Sequence, residues 1–396
     1  MLIIFLIFSF CAIISTVAAA DYYVNSSTKH NDITNWMKNE AKNGNNLIFT
    51  GSTYDLTNTI VVSKSINIKS ENKTQINFKK DKSMFKVTVS GVNFDGLFLN
   101  YNVKREYGGG YDDALIYAPG SSKKINIKDT DIKATGDYVH TVHIERWCGN
   151  VTNCKINIEG QSCGALTSNT WTGNIINSKI TTGTGLGTQH TDAIIYSGIW
   201  KGSIINSEIS SKSYCSISTS WYGKITGSKI YSNAEKKETG ATYGLFLFDS
   251  KGTIINSTIK SLNSRYALGI PDEVKVSNCS LASDKKYPNI YRIRSDLCID
   301  SVKKSGKFYK VSFSNMGFFA DSKPCTLVIK CGNKILKKVY VKSLVGVIEG
   351  SEPQKTIKVA IPTKYANKKY TKIAIIDYYN VNKEYIRKDN QYKFKF

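Results

Sequence analysis

The chain has 396 residues, only 21% of them charged, and its 54 Lys and Arg against 31 Asp and Glu give a formal charge of +23. Gly, Asn, Ser and Thr are abundant, Pro is scarce, and 24 Tyr with 16 Phe add to Ile, Val and Thr, a composition that favours strands and excludes a disordered chain. The positive excess is mostly Lys, spread along the chain with mild clusters at Lys79-Lys80-Asp81-Lys82 and Lys364 to Lys372, and without an Arg patch or a recognisable module it argues against nucleic acid; it reads either as attraction to an anionic wall, glycan or membrane surface, or as solubility and adaptation to the host.

The first twenty residues, MLIIFLIFSFCAIISTVAAA, carry no charge and end in Ala18-Ala19-Ala20 before Asp21. This reads as a secretory signal peptide over 1–20. The absence of Lys or Arg before the apolar run keeps an uncleaved anchor as the alternative. Either way the body of the protein is expected outside the cytoplasm, extracellular or at the cell surface. Residues 30–43, HNDITNWMKNEAKN, put Ile33, Trp36 and Met37 on one face of a short helix suited to cap a stack of strands, and 47–68 reads as strands.

One eight-residue unit then recurs: GNVTNCKI (149–156), GNIINSKI (173–180), GSIINSEI (202–209), GKITGSKI (223–230) and GTIINSTI (252–259), with weaker copies at 92, 125 and 274. Variable spacing around a constant unit is what a β-solenoid produces, because each coil repeats its strands while insertions loop out. The third position (Val151, Ile175, Ile204, Ile225, Ile254, Val276) and the eighth (Ile156, Ile180, Ile209, Ile230, Ile259, Leu281) form inward columns. The fifth is Asn153, Asn177, Asn206, Asn256 and Asn278, with Gly227 as the substitution and Asp129 earlier, residue types that tolerate a left-handed bend. Their amides are expected to turn inward and stack as a structural ladder. The sixth position is small throughout. Two residues before the first four of these units stand Trp147, Trp171, Trp200 and Trp221, a column that is either a glycan-binding platform on the surface or a structural stack at a corner.

The stretch NNLIFTGSTYDLTNTIVVSKSINIKSENKTQINF resembles the opening of pectin-lyase-like right-handed parallel β-helix proteins, and especially the adhesin-like proteins of methanogenic archaea. The resemblance spans about 22–295 and implies the fold more than any activity.

From Asp296 the pattern changes to alternating strands (KFYKVSFSNMG, CTLVIKCGNKILKKVYVKSL, KTIKVAIP, KKYTKIAIIDYY), which predict an immunoglobulin-like β-sandwich. Asn315-Met316-Gly317, LVGVIEGSEPQKTIKVAI and IDYYNVNKEYIRKDN are similar to the cell-adhesion-related (CARDB-like) domain of bacteria and archaea, which implies surface display and no chemistry.

Catalytic candidates are few. Asp112-Asp113, His140, His143 with Glu145, and His190 with Asp192 precede the Trp positions, and aligning the coils puts Asp113, His140 and Asp192 in one column with His143 near Thr167 and Ile195. A polysaccharide lyase or glycoside hydrolase needs such an acid/base set in a groove. Yet of the galacturonase motifs only an isolated Asp-Asp pair is present, and neither the calcium-binding acidic set nor the arginine motif of pectate lyases is found. No metal spacing, phosphate loop or dinucleotide fingerprint occurs, so no cofactor is expected, calcium only for a lyase. The eight cysteines after the signal leave their pairing open, except that Cys325 and Cys331 lie in one predicted strand too far apart to bridge. Of the Asn-x-Ser/Thr sequons at Asn25, Asn72, Asn150, Asn256 and Asn278, the last two are expected to be too enclosed for a sugar.

The sequence thus predicts an all-β protein: signal at 1–20, parallel β-helix with an N-terminal cap at 21–295, and sandwich at 296–396. Its expected function is glycan or surface-ligand binding without catalysis, with polysaccharide cleavage as the alternative.

Overall fold

The computed structural model describes residues 20–103, 111–160, 163–182, 194–212, 215–233, 243–264, 266–283, 288–317, 321–347, 354–367, 369–382, 384 and 388–395. The signal read at 1–20 lies outside them except for Ala20.

Among the described residues, every strand pair between Asp21 and Ile293 is parallel and joins a strand to its counterpart one coil away. The coil has three faces. One carries the repeat unit, from Asp21–Val24 to Val274–Ser277; a second is the ten-stranded sheet from Thr53–Asp55 to Ser280–Ala282; the third runs from Ile60–Val62 to Ile290–Ile293. Ile217–Thr226 and Tyr243–Ile255 continue from the third face into the first, so those two merge into one twenty-stranded sheet.

Register explains the core. Ile127, Val151, Ile175, Ile204, Ile225 and Ile254 stand opposite one another on successive coils and are buried. Ile132, Ile156, Ile180, Ile209, Ile230 and Ile259 form the second inward column. Like stacks on like, so β-branched side chains fill the interior at one repeated spacing.

The corner after the first face is set by the fifth position of the unit. Asp129, Asn153, Asn177, Asn206, Gly227, Asn256 and Asn278 all adopt φ between +48° and +59°. Contrary to the expected inward turn, the five asparagine side chains are exposed, because a left-handed residue at a convex bend points its side chain to solvent. Nor are Asn256 and Asn278 enclosed. Asn153 Nδ2 donates to Asp129 Oδ1 at 2.9 Å, but the long amide ladder lies elsewhere. It runs three positions earlier: Asn46 to Asp21, Asn67 to Asn46, Asn93 to Asn67 and Asn126 to Asn93, each through Nδ2 at 2.6–2.9 Å. Asn150 and Asn174 extend it upward.

The small sixth position has a hydrogen-bonding reason. Turning the chain at the corner removes the next N–H from the ladder, and a serine one coil on accepts it: Cys154 N–H to Ser178 Oγ, Ser178 to Ser207, Ser207 to Ser228 and Ser228 to Ser257, at 3.1–3.2 Å. Each of those serines donates in turn to the carbonyl two residues back.

The N-terminal end is covered by the helix His30–Asn35 and the π-turn Trp36–Glu40, which bury Ile33, Trp36 and Met37, with Trp36 stacked on Tyr22 at 4.9 Å. Beyond Ile293 pairing becomes antiparallel. Leu297–Ser305, Phe308–Asn315 and Gln354–Val359 form a three-stranded sheet; Lys334–Val341, Cys325–Cys331, Lys372–Ile375 and Gln391–Phe394 form a four-stranded one. They share a core of Val311, Phe313, Leu327, Ile329, Ala374 and Phe394, the two-layer packing of a β-sandwich. Burial pushes the Cys154 thiol up to about 11 and that of Cys215 to about 12, so both stay protonated and serve as packing.

Candidate functional site

The Trp column is interior. Trp147, Trp171, Trp200 and Trp221 are at most 1% exposed, so the glycan platform is excluded: no indole face is open to a sugar. Trp147 stacks on Trp171 at 4.3 Å and Trp171 on Trp200 at 4.6 Å, within 5° of parallel. Each indole Nε1–H donates to a carbonyl one coil below, of Ile125, Gly149, Gly173 and Gly202 at 2.7–2.9 Å. The glycine opening each unit is thereby explained, since a Cβ on Gly173 would collide with the Gly149 carbonyl oxygen and sit 2.7 Å from Trp171 Nε1.

His140 and His143 lie on the third face. His143 stands opposite Tyr117 and Thr167, and Thr167 opposite Tyr196 instead of Ile195, a one-residue shift from the expected alignment. Val142 and Ile144 point into the core, so His143 points outward, yet it is only 5% exposed. Its Nδ1 lies 2.9 Å from Thr167 Oγ1, and its ring stacks on Tyr117 at 6.0 Å. Burial pulls its pKa down to about 4, against the opposing pull of the Glu145 and Asp112 carboxylates, and the imidazole is neutral at pH 7. The Glu145 carboxylate accepts the Gly120 N–H at 2.7 Å. His140 is half-buried over Gly164, and Asp113 belongs to the 3-10 turn Tyr111–Asp113, where its carbonyl accepts the Tyr101 hydroxyl at 3.0 Å. His190 and Asp192 lie outside the described residues. Within the described part, His143 is thus an enclosed group packed between its neighbours.

The sequence reading missed a cleft of about 720 Å³ where the last coils meet the sandwich. Tyr222, 39% exposed, and Phe248 form its aromatic side; Asp249, Lys251, Asp272, Glu273 and Arg294 come from the coil, and Asp321, Lys323, Val345 and Asn382 from the sandwich. The Tyr222 hydroxyl donates to Asp249 Oδ2 at 3.2 Å, Arg294 bridges to Asp272 at 3.0 Å, and Asp321 accepts the Gly346 N–H at 3.0 Å. Asn382 Oδ1 ties the two parts together, accepting from Ser295 Oγ at 3.3 Å and Lys323 N–H at 2.7 Å. Behind Phe248 the rings of Phe246, Tyr243, Tyr266 and Tyr291 pack on one another at 4.8–5.7 Å. No short motif marks this cleft, because its walls come from segments far apart in sequence.

The strand register therefore defines a parallel β-helix carrying a C-terminal β-sandwich, with an aromatic and charged cleft at the junction. No protein-family profile and no curated protein matches the chain. Among solved structures it is similar to the Dettilon tailspike protein (gp208), with 10% identity over 78% of this chain and 84% of that chain and a TM-score of 0.36, a likeness too distant to carry an argument.

Proposed function

We propose that this chain is an exported, surface-displayed, adhesin-like protein that binds carbohydrate without cleaving it. The junction cleft is the observation that carries this. A half-exposed tyrosine ring offers a flat apolar face for the C–H side of a sugar, while carboxylates, an amide, lysines and an arginine around it suit hydroxyl groups. The resemblance to archaeal adhesin-like β-helices and to the cell-adhesion-related sandwich domain points the same way, as does the apolar signal at 1–20. The test is to incubate the chain from Asp21 onward with acidic and neutral polysaccharides, with and without calcium, following both retention and chain length. Intact, retained polysaccharide is expected; neither retention nor cleavage would sink the reading.

A second reading is a glycoside hydrolase or lyase, favoured by the carboxylates of Asp249, Asp272, Glu273 and Asp321 around one cleft. Shortened products that vanish in Asp249→Asn or Glu273→Gln would establish it. If they vanish instead in Asp192→Ala and His143→Ala, the site is on the third face.

A further inference from the structure

We propose that the outer face of the three-stranded sandwich sheet is an anchoring site for an anionic polysaccharide, held by Lys303, Lys310 and Lys358; this rests on the carbohydrate-binding reading and adds a second site to it. The positive charge is unevenly placed. Residues 296–396 hold 21 Lys and Arg against 8 Asp and Glu, a net +13 of the chain's +23 in about a quarter of its length. The three lysines sit in one row across the sheet. Lys303 is directly opposite Lys310, and Lys310 directly opposite Lys358. All three are exposed, while Val302, Tyr309 and Val311 beside them face the core.

Cross-strand neighbours of like charge repel, and among the described residues none of the three makes an ion pair. The nearby Asp300 carboxylate is already engaged by Ser314 at 2.8 Å and Gln354 at 3.0 Å. Lysines do protect sheet edges from unwanted pairing, but Lys310 is on the central strand, where no edge needs protection. With strands about 4.8 Å apart, the row places three charges across about 10 Å. The next row along is Ser301, Ser312 and Thr356, with Ser312 and Thr356 hydroxyls 2.7 Å apart, a line of groups that both donate and accept. Charges from lysine alone, with no guanidinium fork, beside a row of hydroxyls suit carboxylated or sulfated sugars better than phosphodiesters stacked on aromatic rings.

The experiment measures binding of the chain from Asp21 onward to polygalacturonate, a neutral galactan and single-stranded DNA at two salt concentrations. The wild type is expected to bind polygalacturonate with strong salt dependence, and Lys310→Ser with Lys358→Ser to weaken it at least about tenfold. Binding of the galactan through the cleft is expected to be unchanged. Removing like-charge neighbours is expected to raise the unfolding midpoint, so loss of binding cannot come from loss of fold. Lys330→Ser with Lys393→Ser, on the other sheet, serves as the control and is expected to bind as wild type. Undiminished polygalacturonate binding by the Lys310, Lys358 variant would overturn the anchoring site while leaving the carbohydrate-binding reading intact. DNA bound as tightly, through the same lysines, would overturn its assignment to a polysaccharide. No binding of either polysaccharide by the wild type would overturn both.

Discussion

The indole Nε1–H of Trp171 donates to the carbonyl oxygen of Gly149 at 2.9 Å, and Gly173, two residues after that tryptophan, leaves the space the bond needs. The column therefore repeats as a pair, one large ring and one absent side chain per coil. Gly173→Ala places a methyl group against the Gly149 carbonyl and is expected to cost about 1–3 kcal/mol, and Trp171→Ala about 3–5 kcal/mol. Denaturant midpoints of the two variants check this, and an alanine at 173 as stable as wild type would contradict the packing described.

A cheaper-looking change is expected to be nearly as damaging. Ser207 Oγ accepts the Ser178 N–H at 3.1 Å and donates to the Ile205 carbonyl at 2.8 Å, and the residue is 3% exposed. Ser207→Ala strands a buried N–H and should cost about 1–3 kcal/mol, although it removes one oxygen and leaves no large cavity. The same change at exposed Ser280 is expected to fall within about 0.5 kcal/mol of wild type.

The repeat made the solenoid legible, since identical residues must meet when coils stack, and the left-handed corner follows from Asn and Gly at one position. The direction of the Trp column was not legible. Side chains alternate along a strand only while its register is regular, and here Asn169 and Thr170 both donate to the Glu145 carbonyl, at 2.9 and 3.1 Å. That irregularity reverses the parity between Leu166 and Trp171, so both are buried although five residues apart. Counting from sequence alone leaves inside and outside open. The cleft was illegible for a different reason: Tyr222, Asp272 and Asn382 are brought together only by the junction, and no local pattern announces it.

His143 makes acid stability a measurement of burial. Its folded pKa of about 4 lies below the ordinary value of 6.5, so the fold holds the neutral form. Above pH 6.5 neither state takes up a proton and the group contributes no slope. As pH falls from 6.5 toward 4, the unfolded chain is protonated first, and stability is lost by up to about 1.4 kcal/mol per pH unit. His143→Gln is expected to remove that part of the slope while retaining a hydrogen bond to Thr167. Unfolding midpoints at pH 7, 6, 5 and 4.5 for both proteins test it, and parallel curves would show that His143 is protonated in the fold.

The cleft separates two contributions of one side chain. Tyr222 offers a ring to the opening and a hydroxyl to Asp249. If sugars stack there, Tyr222→Phe keeps the flat face and loses only the bond to Asp249, whereas Tyr222→Ala loses both. Retention of a bound polysaccharide is therefore expected to fall by at least about tenfold in Tyr222→Ala and by less than about threefold in Tyr222→Phe. Tyr222 is exposed, so neither variant should change the unfolding free energy by more than about 1 kcal/mol. Equal losses in the two variants would mean that the hydroxyl and its carboxylate partner hold the ligand, and would assign binding to the acidic side of the cleft instead of to ring stacking.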